Sequence, residues 1–146
     1  VRLNLGYPSI TDEVEIMKNR QISNPLDTIQ EIITPQMMTT FQKQVDQVFI
    51  SDEIYYYIVA IVDATRHNEY IEQGASPRGS LATMKVAKAC AFMHDRDYVI
   101  PSDVKDVVHM VLAHRIILNY DAKMKEMSAY SLLDDILDHI REPGIE

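Results

Sequence analysis

The spacing of apolar residues divides this chain into helices separated by clear stop signals. Over most of its length, apolar side chains recur every three or four residues, the period of an α-helix with one buried face. Proline, or serine followed by acidic residues, marks where several of these segments begin. The pattern predicts helices over residues 9–20, 35–49, 51–67, 77–93, 101–116 and 132–140. We therefore expect an all-α bundle of five to six helices.

The first residues follow a different pattern. Residues 2–5 alternate polar and apolar side chains as a β-strand does, but a lone strand of this length is unstable without a sheet to join. We expect residues 1–5 to be extended and unsupported, as the end of a strand whose sheet lies elsewhere, and Val1 to be a cut end. Gly6, Tyr7 and Pro8 then break the chain before the first helix.

The helix over residues 77–93 has the apolar character of a central element. The sequence predicts one buried face made of Ala82, Val86, Ala89, Cys90 and Met93, with Leu81, Met84 and Phe92 beside it. This leaves mainly Lys85 and Lys88 for solvent. In the preceding helix, Tyr55, Tyr56 and Tyr57 cover three sides, so at least one of them must be exposed or meet a partner.

Composition excludes several classes of function. With 146 residues, 47% apolar and 25% charged, the chain is the size of one soluble domain. A net charge of −8 with scattered basic residues argues against a nucleic-acid surface. No apolar run is long enough to span a membrane. The lone Cys90 excludes a disulfide framework and favours a reducing compartment, so we expect a cytoplasmic protein.

The stretch GASPRG, residues 74–79, is the strongest candidate for a binding site. Ser76 suits the N-cap, Pro77 suits the first helical position, and Arg78 lies in the first turn. Unpaired backbone N–H groups and the positive end of the helix dipole would add to the arginine charge, so a phosphate group could bind here. The same residues are also compatible with a capped helix start and a solvated arginine.

Two other groups of residues are better explained by structural roles than by catalysis or metal binding. Asp52 and Glu53 follow an apolar run, as do the acids that hold magnesium in some nucleotide-hydrolysing enzymes. The glycine-rich lysine loop that such sites require is missing, and a helix start after Ser51 accounts for both acids. No two histidines have the spacing of metal ligands: His109 and His114 are five residues apart, roughly 140° around a helix. We therefore predict no metal site.

Five stretches together resemble the C-terminal part of MoxR-type AAA+ ATPases. In order they are LGYPS with two acids after it, TRH at 65–67, GASPR at 74–78, RDYVIP at 96–101 and LAHRI at 112–116. The resemblance covers nearly the whole chain and implies an AAA+ lid fold. Two residues depart from the family pattern: Gly79 stands where alanine is more usual, and Ile100 replaces the threonine that caps the helix beginning at Pro101.

The resemblance also implies roles for individual residues. GASPR is similar to the sensor-2 element, whose arginine, here Arg78, reaches from the lid toward the phosphates of ATP. Ser76, Pro77 and Gly79 would lie beside the nucleotide. Residues 1–8 would be the end of a core-domain strand and a hinge at Gly6, Tyr7 and Pro8, and residues 9–146 the lid. The P-loop, the arginine finger and the acids that hold Mg²⁺ belong to a core domain upstream of this chain.

Function is implied at the level of the whole protein. The resemblance suggests ATP hydrolysis to ADP and phosphate in a ring of six subunits. It also suggests chaperone-like remodelling or maturation of partners, often proteins with a von Willebrand A domain. The lid would contact its own core domain and neighbouring subunits, and alone would be inactive. The competing hypothesis is a stand-alone helical interaction module with no nucleotide role. Arg66 and Arg115, near helix ends where cations are favoured, are expected to be structural.

Overall fold

A computed structural model of the chain describes residues 1–22 and 24–144; the predicted end of the lid domain at residue 146 lies outside them. The described residues form seven α-helices: α1 (Ile10–Ile22), α2 (Pro35–Gln47), α3 (Asp52–His67), α4 (Pro77–Met93), α5 (Pro101–Leu112), α6 (Tyr120–Met124) and α7 (Ala129–His139). Two short strands, β1 (Ile71–Gln73) and β2 (Ile117–Leu118), pair antiparallel. Single 3₁₀ turns occur at Pro25–Thr28 and Ala113–Arg115.

The all-α prediction is confirmed, and three details differ from it. The additional helix is α6, whose five residues are too few for a periodic pattern. The second helix ends at Gln47 instead of residue 49, because Phe49 exchanges backbone hydrogen bonds with Asp97 and Val99. The fifth ends at Leu112 and tightens into a 3₁₀ turn, as helix ends often do.

The chain divides into two compact units, residues 3–41 and residues 1–2 with 42–146. In the smaller unit, α1 begins as predicted: the Asp12 N–H donates to Ser9 Oγ and the Ser9 N–H donates to Asp12 Oδ2, at 3.2 and 3.3 Å. Ile10, Val14 and Met17, which recur at helical spacing along α1, are exposed.

Residues 1–5 form no strand. Their predicted lack of support needs one correction, because the Arg2 N–H donates to the Met110 carbonyl at 3.0 Å within the larger unit.

The core of the larger unit is built from the regular apolar stripes of three helices. Each buried valine, leucine or isoleucine contributes roughly 1.5–3 kcal/mol through removal from water. The buried residues are Ile54, Tyr57, Ile58, Ile61 and Val62 of α3, Val104, Val107, Val108, Val111 and Leu112 of α5, and Leu132, Leu133, Ile136 and Leu137 of α7. These residues recur at the helical spacing from which the sequence predicts the three helices. Of the three tyrosines in α3, Tyr57 is buried and the other two are exposed.

The predicted buried face of α4 is correct only in part: Cys90 is buried, and Ala82, Met84, Val86 and Phe92 are half-buried against the core. The other buried residues of α4 are Gly79, Thr83, Ala87 and Ala91, whereas the more apolar Leu81 and Met93 are exposed. α4 packs more extensively against α5 than against any other element, and most of the residues that α4 buries are small. A Cβ atom added at Gly79 would lie only 3.1 Å from Cδ2 of Leu112. Small size therefore decides which face of α4 is buried.

A buried ion pair closes the turn between α4 and α5. Asp103 is 1% exposed, and its carboxylate accepts hydrogen bonds from both terminal nitrogens of Arg96, with Nη1 to Oδ2 at 2.7 Å. It also accepts the Ile100 N–H at 2.9 Å, so the first turn of α5 is stabilised although Ile100 has no capping oxygen. Burial favours a higher pKa for Asp103, but the hydrogen bonds and charge of Arg96 hold its pKa below the ordinary value.

The turn between β1 and α4 passes very close to the end of α3. A Cβ atom added at Gly74 would lie 2.7 Å from backbone atoms of Thr65 and Arg66. Real side chains essentially never approach a backbone this closely. Glycine is therefore required at this position by the crossing of two chain segments.

We expect Asp103→Asn to lower the free energy of unfolding by about 2–4 kcal/mol, because Arg96 would lose the negative charge and one of its two acceptor oxygens in a largely buried site. The pKa of Asp103 is depressed in the folded state, so its contribution is present above the unfolded pKa near 4 and is lost as the pH falls below it. Urea unfolding at several pH values measures both effects. Asp106→Asn, an exposed carboxylate on the same helix, is the control. Equal stability of the two variants would contradict the assigned role of the ion pair.

We expect Gly74→Ala to destabilise the fold by about 2–4 kcal/mol, because the methyl group would force α3 and the turn apart. Gly144→Ala is the matched control, since a Cβ atom there meets nothing within 4 Å and should change stability by less than about 0.5 kcal/mol. Thermal unfolding of both variants gives the comparison. Similar melting temperatures for the two would show that the turn can move aside at little cost.

Candidate functional site

Arg78 is the second residue of α4 and its side chain is exposed. Within the described part of the chain, it forms no hydrogen bond or ion pair. A cation at the N-terminus of a helix is disfavoured by the helix dipole, so this arginine contributes nothing evident to the fold. Its guanidinium group is available for an anion outside this chain.

The backbone donors at the start of α4 are fewer than the sequence suggests. Ser76 occupies the N-cap with extended dihedral angles, as predicted, but its hydroxyl makes no capping hydrogen bond. The Gly79 N–H already donates to the Ser76 carbonyl at 2.7 Å, and Pro77 has no N–H. Any affinity of this turn for a phosphate therefore depends mainly on the Arg78 guanidinium group.

The turn before α4 is held by two side chains of α3. The Ala75 N–H donates to Oγ1 of Thr65 at 2.9 Å, and Oγ1 donates in turn to the Val62 carbonyl at 2.6 Å. The Ala75 carbonyl accepts from Nε of Arg66, also at 2.9 Å. Thr65 is fully buried and Ala75 is 1% exposed. Sequence reasoning missed this anchor, although a threonine within the apolar stripe of α3 was a signal for it.

Arg66 and Arg115, the two arginines that we expect to be structural, form hydrogen bonds to different parts of the fold. Nε of Arg66 reaches out of its helix to Ala75, and Nη1 lies 3.7 Å from Asp63. Nε of Arg115 donates to the Val111 carbonyl one turn earlier in its own segment, at 2.9 Å. Both therefore have backbone partners, but only Arg66 contacts the turn that carries the candidate site.

The candidate hinge belongs to the smaller unit. Gly6 has a φ of +66°, a conformation that favours glycine, and its N–H donates to Oδ1 of Asn4 at 3.0 Å. Leu5 and Tyr7 are almost completely exposed, and a Cβ atom at Gly6 would meet nothing within 4 Å. Pro8 is exposed as well.

Cys90, His94 and Asp103 form a cluster that sequence analysis missed, because only pairs of histidines were compared. One potential ligand atom from each lies within 4.8 Å of the others. However, Arg96 and the Ile100 N–H already occupy the Asp103 carboxylate, so a metal ion would have to displace a bound guanidinium group. Burial and the neighbouring carboxylate raise the pKa of the Cys90 thiol, which disfavours the thiolate that metals bind.

Asp52 and Glu53 lie in the first turn of α3, where acidic side chains are favoured by the helix dipole. A hydrogen bond with Ser51 and one with its own backbone lower the pKa of Glu53. The two acids therefore act at a helix start, in agreement with the sequence interpretation.

A cavity of about 650 Å³ lies elsewhere, bordered by aromatic and aliphatic side chains. Phe49, Ile54 and Tyr98 form part of its wall, and its charged residues are Glu53 and Arg141. Such a lining does not suit a polyphosphate, which needs several donors or cations. The start of α4 is the better candidate for recognition of a phosphate group.

Comparison with known proteins identifies a lid domain family and relatives that include a MoxR chaperone. Residues 63–136 match the AAA lid domain family. The chain is 36% identical over 142 residues to the protein YeaC of Bacillus subtilis and 32% identical over 153 residues to the chaperone MoxR1 of Mycobacterium tuberculosis. These alignments cover 97% and 99% of this chain but only 44% and 40% of the relatives. The chain thus spans less than half the length of these curated relatives.

A solved structure agrees with the sequence matches. The crystal structure of a candidate ATPase from Cytophaga hutchinsonii superposes with a TM-score of 0.83 and 33% identity, over 96% of this chain and 45% of that one. In the described part of our chain, no helix combines the length and apolar character that crossing a bilayer requires. The chain therefore belongs to the AAA lid domain family, and within it to the lids of MoxR-type AAA+ ATPases.

Proposed function

We propose that this chain is the lid through which a MoxR-type ATPase couples ATP binding and hydrolysis to the remodelling or maturation of partner proteins. The observation that carries the proposal is Arg78, an exposed cation without a partner among the described residues, at the start of a helix whose position is fixed by α3. An arginine placed in this way can bind an anion without first breaking contacts of its own.

The chemistry assigned to Arg78 is electrostatic. Transfer of a phosphoryl group spreads negative charge over its oxygens, and a fixed guanidinium group can stabilise this charge. When bound, Mg²⁺ on the core domain would neutralise further charge on the ATP phosphates. Ser76, Pro77 and Gly79 shape the turn that presents Arg78, and the small Gly79 lets that turn lie against α5.

We assign Gly6, Tyr7 and Pro8 to a hinge between the lid and its core domain, with residues 1–8 as the linker and 9–146 as the lid. Gly6 has a left-handed backbone conformation that favours glycine, and its two neighbours in the chain are exposed. Such a joint can rotate without disrupting packed side chains. Movement of the lid about this hinge would transmit the nucleotide state that Arg78 senses.

At the level of the whole protein, we propose a cytoplasmic ring of six subunits, in which the lid contacts its own core and a neighbour. The family relationship supports an oligomeric ring and chaperone-like activity. Proteins with a von Willebrand A domain are the partners that this relationship suggests. Neither nucleic acid nor a membrane is a proposed partner.

Arg78→Ala in the full-length protein should slow ATP hydrolysis by roughly ten- to a thousandfold, which corresponds to the loss of ~1.5–4 kcal/mol of transition-state stabilisation. Folding should hardly change, because Arg78 has no described partner. Steady-state turnover and thermal unfolding measure the two effects.

Lys85→Ala, which removes another exposed cation from α4, is the control and should leave turnover unchanged. If Arg78→Ala left nucleotide affinity and turnover at wild-type levels in an assembled ring, the phosphate role would be wrong. The exposed Tyr55 and Tyr56 would then favour the alternative of an interaction module.

A preparation of this chain alone should not hydrolyse ATP, because its sequence contains no glycine-rich lysine loop to hold the phosphates. Phosphate release by the chain and by the full-length protein, assayed side by side, gives the test. Turnover by the chain that disappears on mutation of one of its own residues would contradict the prediction.

A further inference from the structure

We propose that Thr65 and Arg66, in the last turn of α3, are positioning residues that hold Arg78 in place for ATP hydrolysis. This inference rests on the proposed function of Arg78, and it assigns to α3 a role beyond its contribution to the core. Both side chains act through one residue, Ala75, which lies three positions before the arginine.

Ala75 is fixed at both of its backbone polar groups. Its N–H donates to Oγ1 of Thr65 and its carbonyl accepts from Nε of Arg66, each at 2.9 Å. Ala75 is also 1% exposed, so water cannot replace either partner without an opening of the structure. A shift of this turn relative to α3 must therefore break two hydrogen bonds together.

The path from Ala75 to Arg78 is short and stiff. The Pro77 ring fixes one backbone dihedral angle, and the Gly79 N–H closes the turn on the Ser76 carbonyl at 2.7 Å. Close contacts restrain both ends of the turn: Gly74 lies against the backbone of α3, and Gly79 against Ala75 and Leu112. Displacement at Ala75 is thus passed on to Arg78 instead of being absorbed between them.

Two similar residues in the same fold show what a purely structural bond would look like. Oγ1 of Thr83, also buried, donates only to the Gly79 carbonyl of its own helix, at 3.0 Å. Nε of Arg115 likewise donates to Val111, four residues earlier. Thr65 and Arg66 instead bind a segment nine or ten residues further along the chain. Their bonds therefore set the position of α4 relative to α3.

The rate of ATP hydrolysis should depend strongly on where the Arg78 guanidinium group lies relative to the reacting phosphate. A displacement of about 1 Å of a charged group at a reacting phosphate can cost roughly a hundredfold in rate. Arg78 is exposed and has no described side-chain partner that could orient it. The placement of its backbone is then the main restraint on where its guanidinium group can reach.

The test compares variants of the full-length ATPase. Thr65→Val keeps the shape of the side chain but removes the acceptor for the Ala75 N–H, and should lower kcat per folded molecule roughly ten- to a hundredfold with a smaller change in KM. Thr65→Ser keeps the hydroxyl and should stay within about threefold of wild type. Thr83→Val removes an equally buried hydroxyl and should leave kcat per folded molecule unchanged.

Arg66→Ala provides an independent measurement if Thr65→Val folds poorly, because Arg66 is partly exposed. It should lower kcat by at least fivefold, whereas Arg115→Ala, its matched control, should change the melting temperature without lowering kcat per folded molecule. Equal kcat values for these two arginine variants would overturn the proposal.

A double-mutant cycle separates this proposal from the function on which it rests. If Thr65 acts through Arg78, Thr65→Val should have little further effect on kcat in an Arg78→Ala background. If the fold-losses in kcat of the two single variants instead multiply in the double variant, the positioning role of Thr65 is overturned, whereas the proposed function of Arg78 stands. Wild-type turnover of Arg78→Ala alone overturns both.

Discussion

The crossing of the turn at Gly74 over the end of α3 is the constraint on which the rest of the lid depends. The two backbones approach until there is no room for a side chain. Hydrogen bonds from Thr65 and Arg66 to Ala75 then fix the direction in which the chain leaves the crossing. This direction sets where α4 begins. Steric exclusion thus acts at Gly74, and hydrogen bonding acts at Ala75, the next residue.

The turn after α4 is fixed by electrostatics. The buried Asp103 accepts hydrogen bonds from Arg96 and from the Ile100 N–H, so one carboxylate orders the loop and starts the next helix. An isoleucine before Pro101 looks like a missing cap in the sequence, but the third residue of the helix supplies the acceptor. The central helix is thereby held at its start by polar contacts to α3 and after its end by an ion pair to α5.

Most of the fold could be predicted where large apolar side chains recur at helical spacing. The stripes of α3, α5 and α7 are of this kind, and the residues at this spacing are the ones that these helices bury. The short elements could not be predicted, because their stability comes from contacts distant in sequence. Asn119, for example, caps α6 with its side-chain oxygen while its amide nitrogen donates to the Glu69 carbonyl at 2.6 Å. The buried face of α4 could be predicted only in part, because its fully buried positions are chosen by small size more than by hydrophobicity.

Only those features of the candidate site that depend on neighbouring residues in the sequence could be predicted. The location of Arg78 in a first turn follows from Ser76 and Pro77, which are local signals. That the Gly79 N–H is already bonded depends on the exact path of the turn, and the anchor on Thr65 joins residues ten positions apart. Neither is visible in a periodic pattern.

The row of small residues along α4 has a consequence for sequence variation. At Gly79, Thr83, Ala87 and Ala91, tolerance to substitution should follow side-chain volume, whereas at exposed Leu81 and Met93 it should be broad. A hydropathy profile would rank these two groups in the opposite order. Natural variants that add one or two methyl groups to the row would look conservative by polarity, yet they would push α4 away from α5 and carry Arg78 with it.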